Sequence, residues 1–200
     1  MLTKVILSTT ELALVNNIEI ILTKRNILLQ VEALLNEQIP IINSCFSKVL
    51  IPYSKVITSA PKISRGENYL GLPYLMLDYP ATFGKHDVFA VRTMFWWGNF
   101  MSISLLVQGI YKDAFADTLI NALGKLLNNQ VFVCIADNPW QHHFQLNNYV
   151  NYNELSAHQL QQINDQSFLK IAVQFDLIHF NEVQLWLTEN YGELAKLLIS

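Results

Sequence analysis

Charged residues are scarce in this sequence. They make up 14% of its 200 residues, against roughly 25% in an average soluble domain. Only three arginines occur, Arg25, Arg65 and Arg92, and they are far apart in the chain. A nucleic-acid surface needs clustered Lys and Arg to neutralise phosphates, and the isoelectric point near 5.9 points the other way. We therefore expect no nucleic-acid partner.

Cysteines and long apolar runs are also few. Cys45 and Cys134 lie 89 positions apart without a CxxC or Cys/His spacing, which argues against a disulfide framework and predicts no metal site. No stretch approaches the ~20 apolar residues of a membrane span, and the apolar run at residues 5–7 is too short for a secretory signal. These absences predict a cytoplasmic protein that does not enter a membrane.

Familiar catalytic and cofactor signatures are missing. The sequence contains no GxSxG, HExxH, kinase, EF-hand, GxGxxG or P-loop pattern. We expect no cofactor, and the sequence leaves open whether the protein is an enzyme.

Apolar residues are abundant, at 52% of the chain, so we expect residues 1–200 to fold as a single globular domain around one core. The segment "STTE" at 8–11 matches a capping box and predicts a long N-terminal helix from Thr9 to Pro40, with a weak point at Asn16-Asn17 and a second short helix at 41–50. Helical periodicity also predicts a central helix at 111–127, closed by Asn128-Asn129. A docked C-terminal helix should be capped by Asn181.

Five segments have the composition of strands: 69–79, 87–97, 100–108, 130–136 and 168–176. Strands in consecutive runs with helices before and after predict an α+β fold with a mainly antiparallel sheet of about five strands. Residues 51–68 are expected to form a connection, with an optional strand at "YSKVITS". In 168–176 the alternation places Lys170 on a solvated face. The amide-rich stretch 138–166 should be a polar connection with a short helix around "SAHQLQQIN".

The sequence "WWGNF" predicts a hairpin. A two-residue type II′ turn at Gly98-Asn99 would pair Trp97 with Phe100 and Trp96 with Met101. Both faces of this hairpin would be largely apolar, which predicts that the sheet is covered on both sides. Arg92 would then be the lone charge on one face.

A buried guanidinium needs a partner, and Asp78 is the first candidate for Arg92, with Glu67 the second. Arg92 is then either half of a structural ion pair or a clamp for a carboxylate or phosphate ligand. On the other face, Thr93, Ser102 and Ser104 would form a hydroxyl patch, which is either ordinary cross-strand pairing or a ligand site.

Two functions fit these features. The first is a non-enzymatic binding or protein-interaction domain that uses aromatic surface near the hairpin or the C-terminal helix to engage a protein partner or a second copy. The alternative is an enzyme, or a binder of a small anionic ligand, with a cleft near the strand ends. The candidate residues for that cleft are Arg65, Asp78, His86, Asp87 and Arg92.

Overall fold

The fold is α+β, built on one antiparallel sheet of seven strands. The computed structural model describes residues 5–126 and 131–199. The strand order is β1-β2-β3-β4-β7-β5-β6. The strands are β1 Lys62–Tyr69, β2 Leu72–Phe83, β3 Val88–Trp96, β4 Phe100–Gln108, β5 Phe132–Cys134, β6 Tyr149–Asn151 and β7 Phe168–Asp176.

Six α-helices accompany the sheet in the described ranges. They are α1 Thr9–Val15, α2 Ile18–Phe46, α3 Ser54–Ile57, α4 Ile110–Leu126, α5 Ala157–Asp165 and α6 Val183–Lys196. Helices α2, α4 and α6 pack their apolar stripes on one face of the sheet, and together they form the main core. The short helix predicted around "SAHQLQQIN" is confirmed as α5.

The second face of the sheet is covered by a loop. Residues 135–148, which join β5 to β6 and which we call the covering loop, place Phe144 against Phe100 and Phe132. The sheet is thus covered on both faces, as the apolar hairpin predicts.

The observed N-terminal helices differ in two places from the single long helix that the sequence predicts. It breaks at Asn16 and Asn17, where Asn17 caps α2, and this is the predicted weak point. The expectation that Pro40 ends the helix is wrong, because α2 continues to Phe46. Pro40 removes one backbone hydrogen bond, but Ile42 and Phe46 beyond it are fully buried in the core, and this burial maintains the helix.

The prediction of about five strands misses β1 and β6. Residues 62–69 pair with β2 from Lys62, opposite Asp78, so the predicted connection is partly an edge strand. The "YSKVITS" segment contains α3 rather than a strand, and β5 is only three residues long.

A 3-10 turn over Leu177–Glu182 precedes α6, so Glu182, not Asn181, is its N-cap. The predicted helix end at Asn128-Asn129 lies outside the described residues.

The predicted hairpin register is wrong by one residue. Trp96 pairs with Phe100, so the loop has three residues with Gly98 at φ +71° rather than two. Three-residue hairpin loops commonly contain a residue in this left-handed region. A shift of one residue moves every side chain of β4 to the other face. Arg92 therefore lies beside Ser104 instead of among the apolar residues of β4.

The predicted hydroxyl patch is also divided by this shift. The Thr93 and Tyr191 hydroxyl oxygens lie 2.6 Å apart on the helix side of the sheet. Ser102 and Ser104 lie opposite Met94 and Arg92, on the side of the covering loop.

The predicted solvated face of β7 is covered. Lys170 is only 2% exposed, since the covering loop lies over it.

Candidate functional site

Arg92 and Asp78 form a bidentate ion pair beneath the covering loop. They lie directly opposite each other on β3 and β2. Arg92 Nε donates to Asp78 Oδ1 at 2.6 Å, and Nη2 donates to Oδ2 at 3.0 Å. The guanidinium carbon lies 5.7 Å from the ring centre of Trp140. Nη1 lies 3.4 Å from His142 Nε2, so the planar fork of Arg92 is occupied within the chain.

Lys170 lies beside the same small cavity as Arg92. We call Asp78, Arg92 and Lys170 the charged cluster. Lys170 Nζ donates to the carbonyl oxygens of Pro139 at 2.7 Å and Gln141 at 2.6 Å, and it lies 5.3 Å from the ring centre of Tyr149. Burial lowers the pKa of Lys170 to about 7, while Cys134 opposes this shift and Arg92 adds to it. The amine therefore titrates near neutral pH. Its two hydrogen bonds to loop carbonyls hold the covering loop on the sheet.

His142 and His143 belong to the same loop. The Tyr69 hydroxyl oxygen accepts hydrogen bonds from the backbone N–H groups of both, at 2.7 and 3.1 Å. Burial lowers the pKa of His142 to about 2, with further lowering from the charges of Lys170 and Arg92. His142 is therefore neutral, which suits its position beside the Arg92 guanidinium.

The space around these groups is nearly closed. The cavity between Arg92, Ser104 and Lys170, roofed by Pro139 and Trp140, measures about 10 Å³. A single water molecule needs a cavity of roughly this volume. The cluster can therefore accommodate a water molecule but not a metabolite.

The structure brings together only two of the five residues of the sequence-predicted cleft. Asp78 and Arg92 are brought together. Arg65 is exposed on β1 and lines a groove beside α2. Asp87 Oδ1 accepts a hydrogen bond from Ile110 N at 3.1 Å, at the start of α4, and His86 is exposed in the β2–β3 loop. These residues do not line one common pocket.

Glu67, the second candidate partner for Arg92, is placed elsewhere. It forms an ion pair with Lys24 of α2. In the two described ranges, no group of three or more His, Cys, Asp or Glu side chains is arranged to hold a metal ion.

Lys170 was missed as a member of the charged cluster. The alternation of β7 indicates a solvated face, and nothing local in the sequence contradicts that. The available signal was indirect, because two apolar faces on the neighbouring hairpin already imply a cover on both sides of the sheet.

The hairpin tryptophans contribute mainly to packing. Trp96 is buried and donates through Nε1 to the Tyr69 carbonyl at 3.1 Å. Its ring packs against Tyr69 and Phe100 at centroid distances of 5.1 and 5.3 Å. Trp97 is half-buried.

The largest apolar surface lies at the other end of the chain. Residues 5–22, which we call the arm, comprise an extended segment, α1 and the first turn of α2. Helix α1 has a complete capping box between Ser8 and Glu11 and buries none of its residues. Ten aliphatic residues of the arm are between 39% and 82% exposed: Val5, Ile6, Leu7, Leu12, Leu14, Val15, Ile18, Ile20, Ile21 and Leu22.

Sequence and fold comparisons give no relative from which a role could be transferred. Protein-family models, curated proteins and solved structures were compared with the chain, and none matches. Among the described helices, none is both long enough and apolar enough to cross a membrane.

Proposed function

We propose that this protein is a protein-interaction module that associates with a second copy of itself through the arm. The observation that carries this proposal is a capped helical segment whose aliphatic side chains remain 39–82% exposed in the described fold. In a helix of a folded domain, apolar side chains normally face a packed surface. We infer that the surface that buries these side chains belongs to a second copy of the chain.

The exposure of the arm supports an interaction surface. Its ten aliphatic residues are 39–82% exposed, and concentrated exposed apolar surface is typical of protein–protein contact sites. A stable interface buries about 800 Å² on each partner. We infer that two arms packed against each other supply part of that surface.

The charges near the arm favour an antiparallel arrangement of two copies. Glu11 and Glu19 are the only ionisable residues between positions 5 and 22, whereas Lys24 and Arg25 follow directly. Arg25 is exposed and has no ion pair in the described ranges. Antiparallel packing brings the acidic segment of one copy towards the basic residues of the other, while parallel packing aligns like charges.

A lipid surface fits the arm less well. Interfacial helices usually carry Lys and Arg on a polar face that attracts anionic headgroups, and residues 5–22 contain none.

The alternative function, an enzyme or anionic-ligand binder, has weaker support. Arg65, His86 and Asp87 lie away from Asp78 and Arg92, and the guanidinium of Arg92 is already bound to Asp78. A ligand anion would have to displace a buried carboxylate from a cavity of about 10 Å³.

The oligomeric state of the full chain tests the proposal. Light scattering after size exclusion, at protein concentrations up to about 100 µM, should show a dimer. The double substitution Ile18→Glu and Leu22→Glu should give a monomer, because burying four carboxylates per dimer is costly. Both side chains are exposed in the monomer, at 73% and 56%, so the melting profile of the fold should change little.

The matched control is Leu146→Glu, at a residue 79% exposed in the covering loop, which should remain dimeric. A monomeric wild type, or a double variant that dimerises like wild type, would refute the proposal. Binding of a monomeric wild type to anionic vesicles would assign the arm to a membrane surface instead.

A further inference from the structure

We propose that an open pocket beside the hairpin tip binds a neutral saccharide. The pocket lies between the β3–β4 loop, the end of β7 and the start of α6, and its volume is about 570 Å³. Ligand pockets commonly measure ~300–1,000 Å³. This site is separate from the arm and does not depend on the proposed self-association.

Four aromatic rings form part of the wall: Phe100, Phe132, Phe175 and Trp186. Phe100 and Phe132 each pack edge-on against Phe144, with centroid distances of 5.0 Å. Phe175 and Trp186 lie 5.1 Å apart with their planes inclined by 38°. Rings held in this way offer rigid apolar surface at little entropic cost, and the C–H faces of a sugar ring pack on such surfaces.

Polar side chains form the rest of the wall. Gln174, Asn99 and Asn151 contribute amides, and Asp176 and His179 complete the lining. Asn99 Nδ2 also donates to the Trp97 carbonyl, and Asn151 Oδ1 accepts from Asn153 N, both at 3.0 Å. Gln174 is half-buried, and its side chain makes no hydrogen bond within the described residues. Asp176 accepts from Ile178 N through Oδ1 at 3.0 Å, which leaves Oδ2 for another donor. Amides and a carboxylate can pair with the alternating donors and acceptors of sugar hydroxyls.

The charge of the lining excludes other ligand classes. Among the described residues no Lys or Arg lines the pocket, whereas the carboxyl group of Asp176 does, so the lining offers an anionic ligand no ammonium or guanidinium partner. A purely apolar ligand would desolvate the amides without pairing them. A ligand with both an apolar face and many uncharged hydroxyls satisfies both parts of the wall.

Ligand-observed NMR tests this assignment. Saturation transfer from the full-length protein should be saturable with methyl β-glucoside, lactose or diacetylchitobiose, at affinities on the order of 1 mM. Gln174→Ala and Asn99→Ala should each weaken binding about five- to tenfold, since each removes a hydrogen bond to the ligand. Gln30→Ala is the matched control, because Gln30 is an exposed amide on α2, outside the pocket.

Several results would overturn the saccharide assignment. One is the absence of a saturable signal with all three sugars. Another is an unchanged affinity in both pocket variants, and a third is a loss of affinity in Gln30→Ala as large as in the pocket variants. Saturable binding of adenosine or uridine without sugar binding would assign the pocket to a nucleoside. The Ile18→Glu, Leu22→Glu variant should bind sugar like wild type, so failure of the dimer proposal and failure of this one can be distinguished.

Discussion

Replacing Lys170 by Met should change how the stability of the protein depends on pH. Lys170 is 2% exposed, and its Nζ meets two carbonyl oxygens, those of Pro139 and Gln141. The carboxylate of Asp78 is already paired with Arg92. A neutral amine has two N–H donors and is fully satisfied here, whereas an ammonium has three. Burial accordingly lowers the pKa of Lys170 from 10.5 to about 7.

The magnitude follows from linkage. Each tenfold change in a proton affinity corresponds to about 1.4 kcal/mol, so the folded state disfavours charged Lys170 by roughly 5 kcal/mol. Between pH 7 and 10.5 the unfolded chain binds one more proton at this residue than the folded chain. Its contribution to stability therefore rises with pH across that window, by about 3 kcal/mol from pH 7 to 9.5.

Urea unfolding, followed by tryptophan fluorescence at fixed protein concentration, measures this effect. The free energy of unfolding of wild type, relative to Lys170→Met, should rise by about 3 kcal/mol from pH 7 to 9.5. The variant also loses the two hydrogen bonds of Lys170 Nζ. This loss lowers its free energy of unfolding by the same amount at every pH and leaves the pH dependence unchanged. Lys48→Met, an exposed lysine on the same chain, should follow the pH dependence of wild type. Parallel curves for wild type and Lys170→Met would refute the reasoning.

Two further substitutions test the buried polar groups. Arg92→Met should lower the free energy of unfolding by about 3–5 kcal/mol, because it leaves Asp78 buried without its partner; adding Asp78→Leu should recover much of this, and a loss below about 1 kcal/mol would contradict the buried pair. Gln38 is fully buried on α2, and neither its Nε2 nor its Oε1 has a partner in the described fold. Gln38→Met should therefore raise the free energy of unfolding by about 1–2 kcal/mol in urea titrations, and a destabilised variant would indicate an ordered water at this position.

Local signals predicted most elements of the fold. The strands β3, β4 and β7 and the helices α4 and α5 lie within a residue or two of the predicted ranges, because their side-chain periodicity is strong. The capping box at Ser8 likewise marks the start of α1. Edge strands were missed, because β1 carries Lys62, Arg65 and Glu67 and lacks the apolar alternation of a buried strand.

The local sequence was least informative about the register in which β3 pairs with β4. A Gly-Asn pair is compatible with a two-residue or a three-residue loop, and the structure contains the three-residue form. In the folded sheet, Trp97 N donates to the Pro73 carbonyl at 3.0 Å, a contact with β2 outside the hairpin. Tertiary pairing of this kind selects among loops that the hairpin sequence alone permits.

The charged cluster was predictable only in part. A lone arginine on an apolar strand demands a carboxylate, and Asp78 on the neighbouring strand is the partner that was expected. Lys170 could not be assigned in the same way. Its cover is a loop without periodicity, and the acceptors are backbone carbonyls, which every sequence supplies at every position.

The sequence by itself determined the class of fold, the positions of most helices and of the central strands, and the need of Arg92 for a partner. These follow from periodicity, capping and the cost of an unpaired buried charge. Only the tertiary structure decided the register of the hairpin, the burial of Lys170 and the exposure of the arm. The physical reason is that an aliphatic residue has the same tendency to leave water wherever it stands in the chain. Whether the surface that covers it belongs to the same chain depends on contacts between distant segments, and for the arm the described fold provides none that buries it.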